Sequence, residues 1–356
     1  MGTDEAIIKL AERNGRPESE LLHRILECAM TPEEARFLLE LPASNADLAA
    51  KFNMEEKAVE DKIRRLAQRG LVVASRRGYR YPGSLGTLHD NILASKAEYV
   101  PAGIDKLWMK FYESGWWRQI AEGNASLGSP ILRTILPLKT APADVELLAC
   151  ESIEAVIQAH KDLITVRNCC CRVGAKACDH PVEVCTQFGR RAEYDLYRGS
   201  GTKVSADEAM AISVKATDAG LIPTVTNMSP MEALEFICYC DGCACLVLNP
   251  TLRAGNVYQV LAASRFLPKV DNDKCNGCQE CVPRCYFDAI EMKELPGYDT
   301  KKAVIDLDKC LGCALCMNIC GPEAVTMELE KPPEFIPETV AGPSAIVHTA
   351  PAEGSN

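Results

Sequence analysis

Cysteine is the residue with the most chemistry to offer in this 356-residue chain: there are nineteen, and seventeen fall between Cys169 and Cys320. The densest stretch is "NCCCRVGAKACDHPVEVC", with five thiols in residues 168–185. Such a string is a metal site, a disulfide framework or a run of small buried apolar residues. The N-terminus carries charges throughout and no apolar core, so it does not read as a secretory signal, and no run approaches the ~18 apolar residues of a spanning helix. The expected compartment is the cytoplasm, and no membrane insertion is expected. There, thiols stay reduced, which turns the reading from disulfides toward metal ligation or redox work. Cys28 and Cys150 stand apart from the rest and read as small hydrophobes.

A repeat organises the last third. Residues 270–292, "VDNDKCNGCQECVPRCYFDAIEM", align with 305–327, "IDLDKCLGCALCMNICGPEAVTM", at Asp271/Asp306, Asp273/Asp308, Lys274/Lys309, Gly277/Gly312, all four cysteines, Ala289/Ala324 and Met292/Met327. The unit is C-x2-C-x2-C-x3-C. Three thiolates two residues apart let one loop wrap a cubane, with backbone N–H groups turned to the sulfurs. The fourth cysteine is expected to open a helix and reach the other cluster. This assigns Cys275, Cys278, Cys281 and Cys320 to one 4Fe-4S cluster, and Cys310, Cys313, Cys316 and Cys285 to a second. A zinc ribbon normally uses two C-x2-C pairs instead of a four-cysteine run.

Over about residues 268–328 the chain resembles the bacterial two-cluster ferredoxin family. That resemblance implies two short βα halves related by a pseudo-two-fold, and one-electron transfer at low potential. Two positions depart from the family pattern: Gly321 is inserted after the last cysteine, and Tyr286 stands where the family usually has proline. Neither removes a ligand.

Upstream lie two further groups: Cys169, Cys170, Cys171, Cys178 and Cys185, then Cys238, Cys240, Cys243 and Cys245 in "FICYCDGCACLVL". "SIEAVIQAHKD" reads as a helix and Ile164-Thr165-Val166 as a strand. If the chain stays extended, Cys169 and Cys171 face one way and Cys170 the other. The expected ligand set is then Cys169, Cys171, Cys178 and Cys185, with Cys170 spare. By the same alternation Cys238 pairs with Cys240, and Gly242 allows a turn before Cys243 and Cys245. Each group holds its own cluster, or the two exchange ligands. Between them, Ser205 and Glu208 form a capping box for a helix ending at Gly220, and "LIPTVTN" reads as a strand.

Residues 130–330 resemble a family of multi-cluster iron–sulfur proteins, mostly from anaerobes, on Cys169, Cys171, Arg172, Cys178, Pro181, Cys185, Cys238, Cys240 and Cys243. The resemblance implies redox work without naming a substrate. Two additional clusters are expected here, with zinc as the alternative, because thiolate-only sets suit both. Arg172 is a cofactor-binding candidate that offsets the charge of a thiolate cluster, against a plain solvated strand-end arginine. His180 reads as a surface turn histidine before Pro181, with ligation as its alternative.

What must position these groups is an α+β multidomain chain. Its expected parts are a winged-helix-like domain with a helical lead-in (1–97), a cysteine-rich α/β iron–sulfur domain (98–265), a ferredoxin-type two-cluster domain (266–330) and an extended or disordered tail (331–356). The first part resembles the winged-helix family in pattern only: three short helices, then two strands around Arg76-Arg77-Gly78. Residues 31–96 hold eleven Lys/Arg and nine Asp/Glu, and the whole chain has a formal charge of −10 with pI near 5.2, so a protein partner fits better than DNA. All three tryptophans lie in 98–130 and read as core. No phosphate loop and no Ser/His/Asp set occurs, so no catalytic residue is assigned.

The sequence therefore leads to an electron-transfer iron–sulfur protein, more a carrier or a subunit of an oxidoreductase complex than a stand-alone enzyme. It relays low-potential electrons to or from a partner redox enzyme. Two alternatives stand beside this: an iron–sulfur redox sensor that regulates transcription through the winged helix, and a catalytic oxidoreductase subunit with substrate at a middle-domain cluster.

Overall fold

The computed structural model describes residues 2–339 apart from 76, 77, 139, 141, 143, 144 and 146. The chain opens with five helices, α1 (Glu5–Arg13), α2 (Glu20–Ala29), α3 (Pro32–Leu39), α4 (Asn45–Phe52) and α5 (Glu56–Gln68). The starts of the first four are written in polar caps, from Asp4, Ser19, Thr31 and Ser44. Thr31 accepts from the Glu34 N–H at 3.2 Å and Glu34 accepts from the Thr31 N–H at 2.9 Å, with Pro32 filling the first helical position. A two-stranded hairpin follows, β1 (Val73–Ser75) with β2 (Gly78–Arg80). Arg76 and Arg77, expected at its tip, lie outside the described residues.

Three more helices complete this half: α6 (Leu85–Leu93), α7 (Ile104–Phe111) and α8 (Trp117–Ala125), the last two joined through a kink at Gly115, where φ is 123°. One core holds Ile7, Leu26, Phe37 and Ile63 together with Trp108, Phe111, Trp116 and Ile120. This core spans the boundary expected near residue 98. The aromatic residues of 104–120 pack with the N-terminal helices because a few short amphipathic helices bury too little apolar surface by themselves.

The middle of the chain is a seven-stranded sheet in the order β6-β4-β5-β8-β7-β3-β9. Its members are β3 (Leu132–Thr134), β4 (Ile164–Asn168), β5 (Glu183–Phe188), β6 (Gly201–Val204), β7 (Ile222–Thr226), β8 (Phe236–Cys240) and β9 (Leu261–Ala262). All pairs are antiparallel except β3 with β9. Helices α9 (Ile153–Ala159), α10 (Cys170–Ala175), α11 (Gly189–Arg198), α12 (Ala206–Asp218) and α13 (Leu248–Ala254) connect it. The Ser205/Glu208 capping box starts α12, and Gly220 at φ 90° lets the chain turn into β7. Helix α11 packs on α5 and β1, and the Tyr194 hydroxyl donates to the Val72 carbonyl at 2.7 Å, so the N-terminal helices and the sheet are one packed body.

The last domain pairs its first strand with its last, β10 (Phe266–Val270) with β13 (Val325–Leu329), and its inner two, β11 (Ile290–Lys293) with β12 (Lys302–Ile305). The repeat is visible in the backbone. Gly277 and Gly312, Gln279 and Ala314, and Asp288 and Glu323 all take positive φ at equivalent positions. The Asp271 N–H donates to the Ala324 carbonyl and the Asp306 N–H to the Ala289 carbonyl, both at 2.8 Å. The helix expected to open at the fourth cysteine is absent. Cys320 follows the short α14 (Leu315–Asn318), and Cys285 sits between two turns, because each leads into the left-handed Glu323 or Asp288, which a right-handed helix cannot contain.

Gly312 carries a sharp prediction. A Cβ there would lie 2.0 Å from the Phe266 carbonyl oxygen and 2.4 Å from Ser264 Oγ, at φ +63°. Gly312→Ala adds left-handed strain to a backbone collision and is expected to cost about 2–3 kcal/mol in denaturant unfolding. An unchanged midpoint would refute the close approach. Beyond the last strand, Ile336 is buried among Met228, Met231 and Leu234, and the Ser229 N–H donates to the Pro337 carbonyl at 3.0 Å. The expected tail is thus docked on the middle domain at Ile336 and Pro337, while 340–356 lie outside the described residues.

Candidate metal centres

The two halves of the repeat exchange one cysteine each. Cys275, Cys278 and Cys281 line a cavity with Cys320, closed by Val270, Met292 and Val325. Cys310, Cys313 and Cys316 line another with Cys285, closed by Phe287, Ile305 and Leu315. The exchange follows from strand pairing, since β10–β13 brings the end of the second repeat beside the start of the first, and β11–β12 the end of the first beside the start of the second. Backbone N–H groups aim at sulfur: Ala289 at Cys285 and Gly312 at Cys310, both 3.4 Å, and Ala324 at Cys320, 3.3 Å. Burial pushes the Cys281 thiol up to about 11 and the Cys313 thiol up to about 12. Four converging thiols with N–H donors around them in an apolar cage fit a 4Fe-4S cluster, which needs thiolate ligands, hydrogen bonds to sulfur and exclusion of water.

The upstream cysteines are arranged differently from the extended-strand expectation. Strand β4 ends at Asn168, Cys169 caps α10 with extended geometry, and Cys170 is already helical. No β-branched residue holds the chain extended beyond Val166 until Val173, so the strand gives way one residue before the triple cysteine. Cys169 and Cys171 nonetheless meet, and Cys169 also contacts Cys185. The register Thr186↔Ile237 on neighbouring strands puts Cys185 across from Cys238, and these two thiols touch. Cys171 contacts Cys245, whose Sγ is 3.3 Å from that of Cys240. The two upstream groups are therefore interleaved: Cys185, Cys169, Cys171, Cys245 and Cys240 form a run of touching thiols, with Cys238 beside Cys185.

Hydrogen bonds split this run into two kinds of sulfur. Donation from Cys171, then Cys185, holds Cys169 well below an ordinary thiol. Contact with Cys171, then Cys240, lowers Cys245 as well, while Cys171, Cys185 and Cys240 are driven up. Backbone N–H groups of Leu246, Val247 and Leu248 reach Cys171 or Cys245, each at 3.4 Å. Cys170 also lies beside Cys171, sulfur to sulfur at 4.0 Å, and donates to Asp90 at 3.2 Å.

Arg172 is not a solvated arginine. It is 3% exposed, and its Nη1 donates to Asp241 Oδ2 at 2.8 Å and to the Tyr239 carbonyl at 2.9 Å. Its Nε and Nη2, and Nε of the neighbouring Arg167, are buried without a partner. The nearby Cys169 and Cys185 sulfurs raise the pKa of Arg172 further above its normal value, against the cost of burial. Orphaned guanidinium N–H groups around a run of thiols fit an anionic centre there. Among the described residues, the groups of three ligand atoms lying within 4.8 Å of one another are His89–Asp90–Cys170 and Cys178–His180–Asp241. The six-thiol run is not among them, so it is more open than the ~3.8 Å sulfur spacing of a tetrahedral zinc–thiolate site.

Cys178 and Cys243 lie apart from the six. They lie near each other, with His180 and Asp241 beside Cys178. Asp241 escaped the sequence reading. The one signal was its position between Cys240 and Gly242, where an Asx turn is expected. It accepts from the Cys243 and Ala244 N–H groups at 3.0 and 2.6 Å.

One packed core contains Cys240, Cys245 and, at its edges, Cys238, Cys285, Cys310 and Cys313, with Ile222, Phe236, Phe287 and Leu311 between them. Tyr286 fastens the two domains: its hydroxyl donates to the Gly220 carbonyl at 3.2 Å and its ring lies against Gly242. The departure at Tyr286 is thus a docking residue. No helix among the described residues is long and apolar enough to cross a membrane.

No match was found among curated proteins or among solved structures. Residues 274–324 match the family model described as the 4Fe-4S dicluster domain. This is the segment in which the two four-cysteine cavities are built. The chain is an iron–sulfur protein of mixed α/β structure whose C-terminal ferredoxin-type domain carries 4Fe-4S clusters and gives it a general role in electron transfer.

Proposed function

We propose that this protein relays low-potential electrons to or from a partner redox enzyme, as a subunit of an oxidoreductase complex in anaerobic metabolism. Its ligand sets in the dicluster domain are Cys275, Cys278, Cys281 and Cys320, and Cys310, Cys313, Cys316 and Cys285. At least one more cluster is held by thiols from Cys169, Cys171, Cys185, Cys238, Cys240 and Cys245, with Arg172 offsetting its charge. Bound clusters supply one-electron chemistry, and the chain sets potentials through burial, N–H donation to sulfur and the Arg172 guanidinium.

The observation that carries this reading is the shared core in which the upstream thiols and those of the second dicluster cavity pack together. Electron transfer needs neighbouring centres embedded in one medium, and a packed apolar bridge between two thiol sets supplies it. The regulator reading is weaker. Lys57 pairs with Asp61, Lys62 with Glu33 and Arg69 with Glu34, and α11 lies on α5, so three of the five basic residues of the third helix are already paired and part of its surface is covered.

Iron and acid-labile sulfide per chain in anaerobically purified protein test the proposal. About eight irons belong to the dicluster domain, and about twelve or more are expected in all. A count of about eight would remove the middle domain from the relay.

A further inference from the structure

We propose that Cys178, Cys243, His180 and Asp241 form a site for a single divalent ion of the zinc class, separate from the dicluster cavities and from the six-thiol centre. This goes beyond the electron-transfer reading and does not depend on it. A Cys178 sulfur, a His180 ring nitrogen and an Asp241 oxygen lie within 4.8 Å of one another, and Cys243 is near Cys178 at the edge of this group. Tetrahedral ligation places such atoms about 3.3–3.8 Å apart, so small side-chain movements close the shell.

The side chains are prepared for it. His180 Nδ1 is buried, has no hydrogen-bond partner and lies 3.7 Å from Asp241 Oδ2. An imidazole nitrogen left so is costly, and a metal ion satisfies it. Asp241 is oriented before any ion arrives, since Oδ1 is held by two backbone N–H groups and Oδ2 by Arg172. The charges nearly close as well: a dication, two thiolates and one carboxylate leave a single negative charge, next to the Arg172 guanidinium. Mixed N, O and S donors suit one borderline-soft ion, whereas a 4Fe-4S cluster takes thiolates.

The ligands come from two distant stretches, the loop after α10 and the turn after β8. An ion there ties the first cysteine group to the second beside Tyr286. Cys243 is exposed, which gives the ion a way in.

The test is zinc and iron counted together on the full chain purified anaerobically, then Co2+ as a spectroscopic probe of thiolate ligation. About one zinc per chain is expected. Cys178→Ser, Cys243→Ser and His180→Gln should each weaken zinc retention at least tenfold and remove the thiolate-to-cobalt absorption, with iron unchanged. Unchanged iron also reports that the variants fold. The proposal is overturned if the wild type takes up neither zinc nor Co2+, if the variants retain zinc, or if iron falls in Cys178→Ser and Cys243→Ser. The last result would make those thiols cluster ligands and leave the electron-transfer reading standing.

Discussion

Glu151→Gln is expected to destabilise this protein by about 3–5 kcal/mol, and Arg265→Met by somewhat less. The two side chains form an ion pair that is only 3% and 2% exposed. Arg265 Nε donates at 3.0 Å to both carboxylate oxygens and Nη2 donates at 2.7 Å to Oε2. The pair sits where the middle domain meets the dicluster domain: Glu151 just ahead of α9, Arg265 just ahead of β10. Its removal is asymmetric because a third charge is near. Arg133, also buried, feels both Glu151 and Arg265 and keeps two guanidinium nitrogens without partners. Without Arg265, Arg133 still offsets Glu151. Without the Glu151 charge, two buried guanidiniums face each other uncompensated. Replacing both members by apolar residues of similar size removes the burial cost with the attraction, so Glu151→Leu with Arg265→Met should cost less than Glu151→Gln alone. Denaturant unfolding of the three variants checks this, and a double variant worse than either single one would sink it.

The legible part of this molecule is the part whose information is local. The C-x2-C-x2-C-x3-C unit lies inside one loop, its duplication can be seen by aligning the chain with itself, and Gly277 and Gly312 mark where the backbone must go left-handed. The Ser205/Glu208 box is likewise a four-residue signal, and it starts α12 where it stands. The middle centre depends on pairings that no local pattern carries. Cys185 and Cys238 are neighbours only because β5 and β8 are, and two further strands and two helices intervene along the chain. Alternation along Cys169–Cys171 assumed that the strand continued, but no β-branched residue follows Val166 until Val173, and the chain turns into α10, which packs on α6 and α7. Arg172 could be picked out, while its partner Asp241 could not, because a buried carboxylate in a polar-looking turn resembles any surface aspartate. Tyr286 shows the same limit: as a departure from a motif it carried no role, and its contacts with Gly220 and Gly242 exist only once the two domains meet.

Crossed ligation predicts a crossed set of phenotypes, and this is the largest effect expected on the centres themselves. Cys285→Ser, although it lies in the first repeat, should behave like Cys310→Ser, and Cys320→Ser like Cys275→Ser. Each should lose about four of the roughly eight irons in the dicluster domain. In the reduced protein each should also lose the magnetic interaction between two neighbouring clusters, which electron paramagnetic resonance reads directly. The two pairs should differ in stability. The cavity of Cys285 and Cys310 opens into the core that includes Cys240, Cys245 and Leu311, so emptying it disturbs the sheet as well. The cavity of Cys275 and Cys320 lies at the far end, where Cys278 is exposed, and its loss should stay local. A shared phenotype for Cys285→Ser and Cys275→Ser would mean that each repeat holds its own cluster. The pairing of β10 with β13 would then no longer explain how the sites are built.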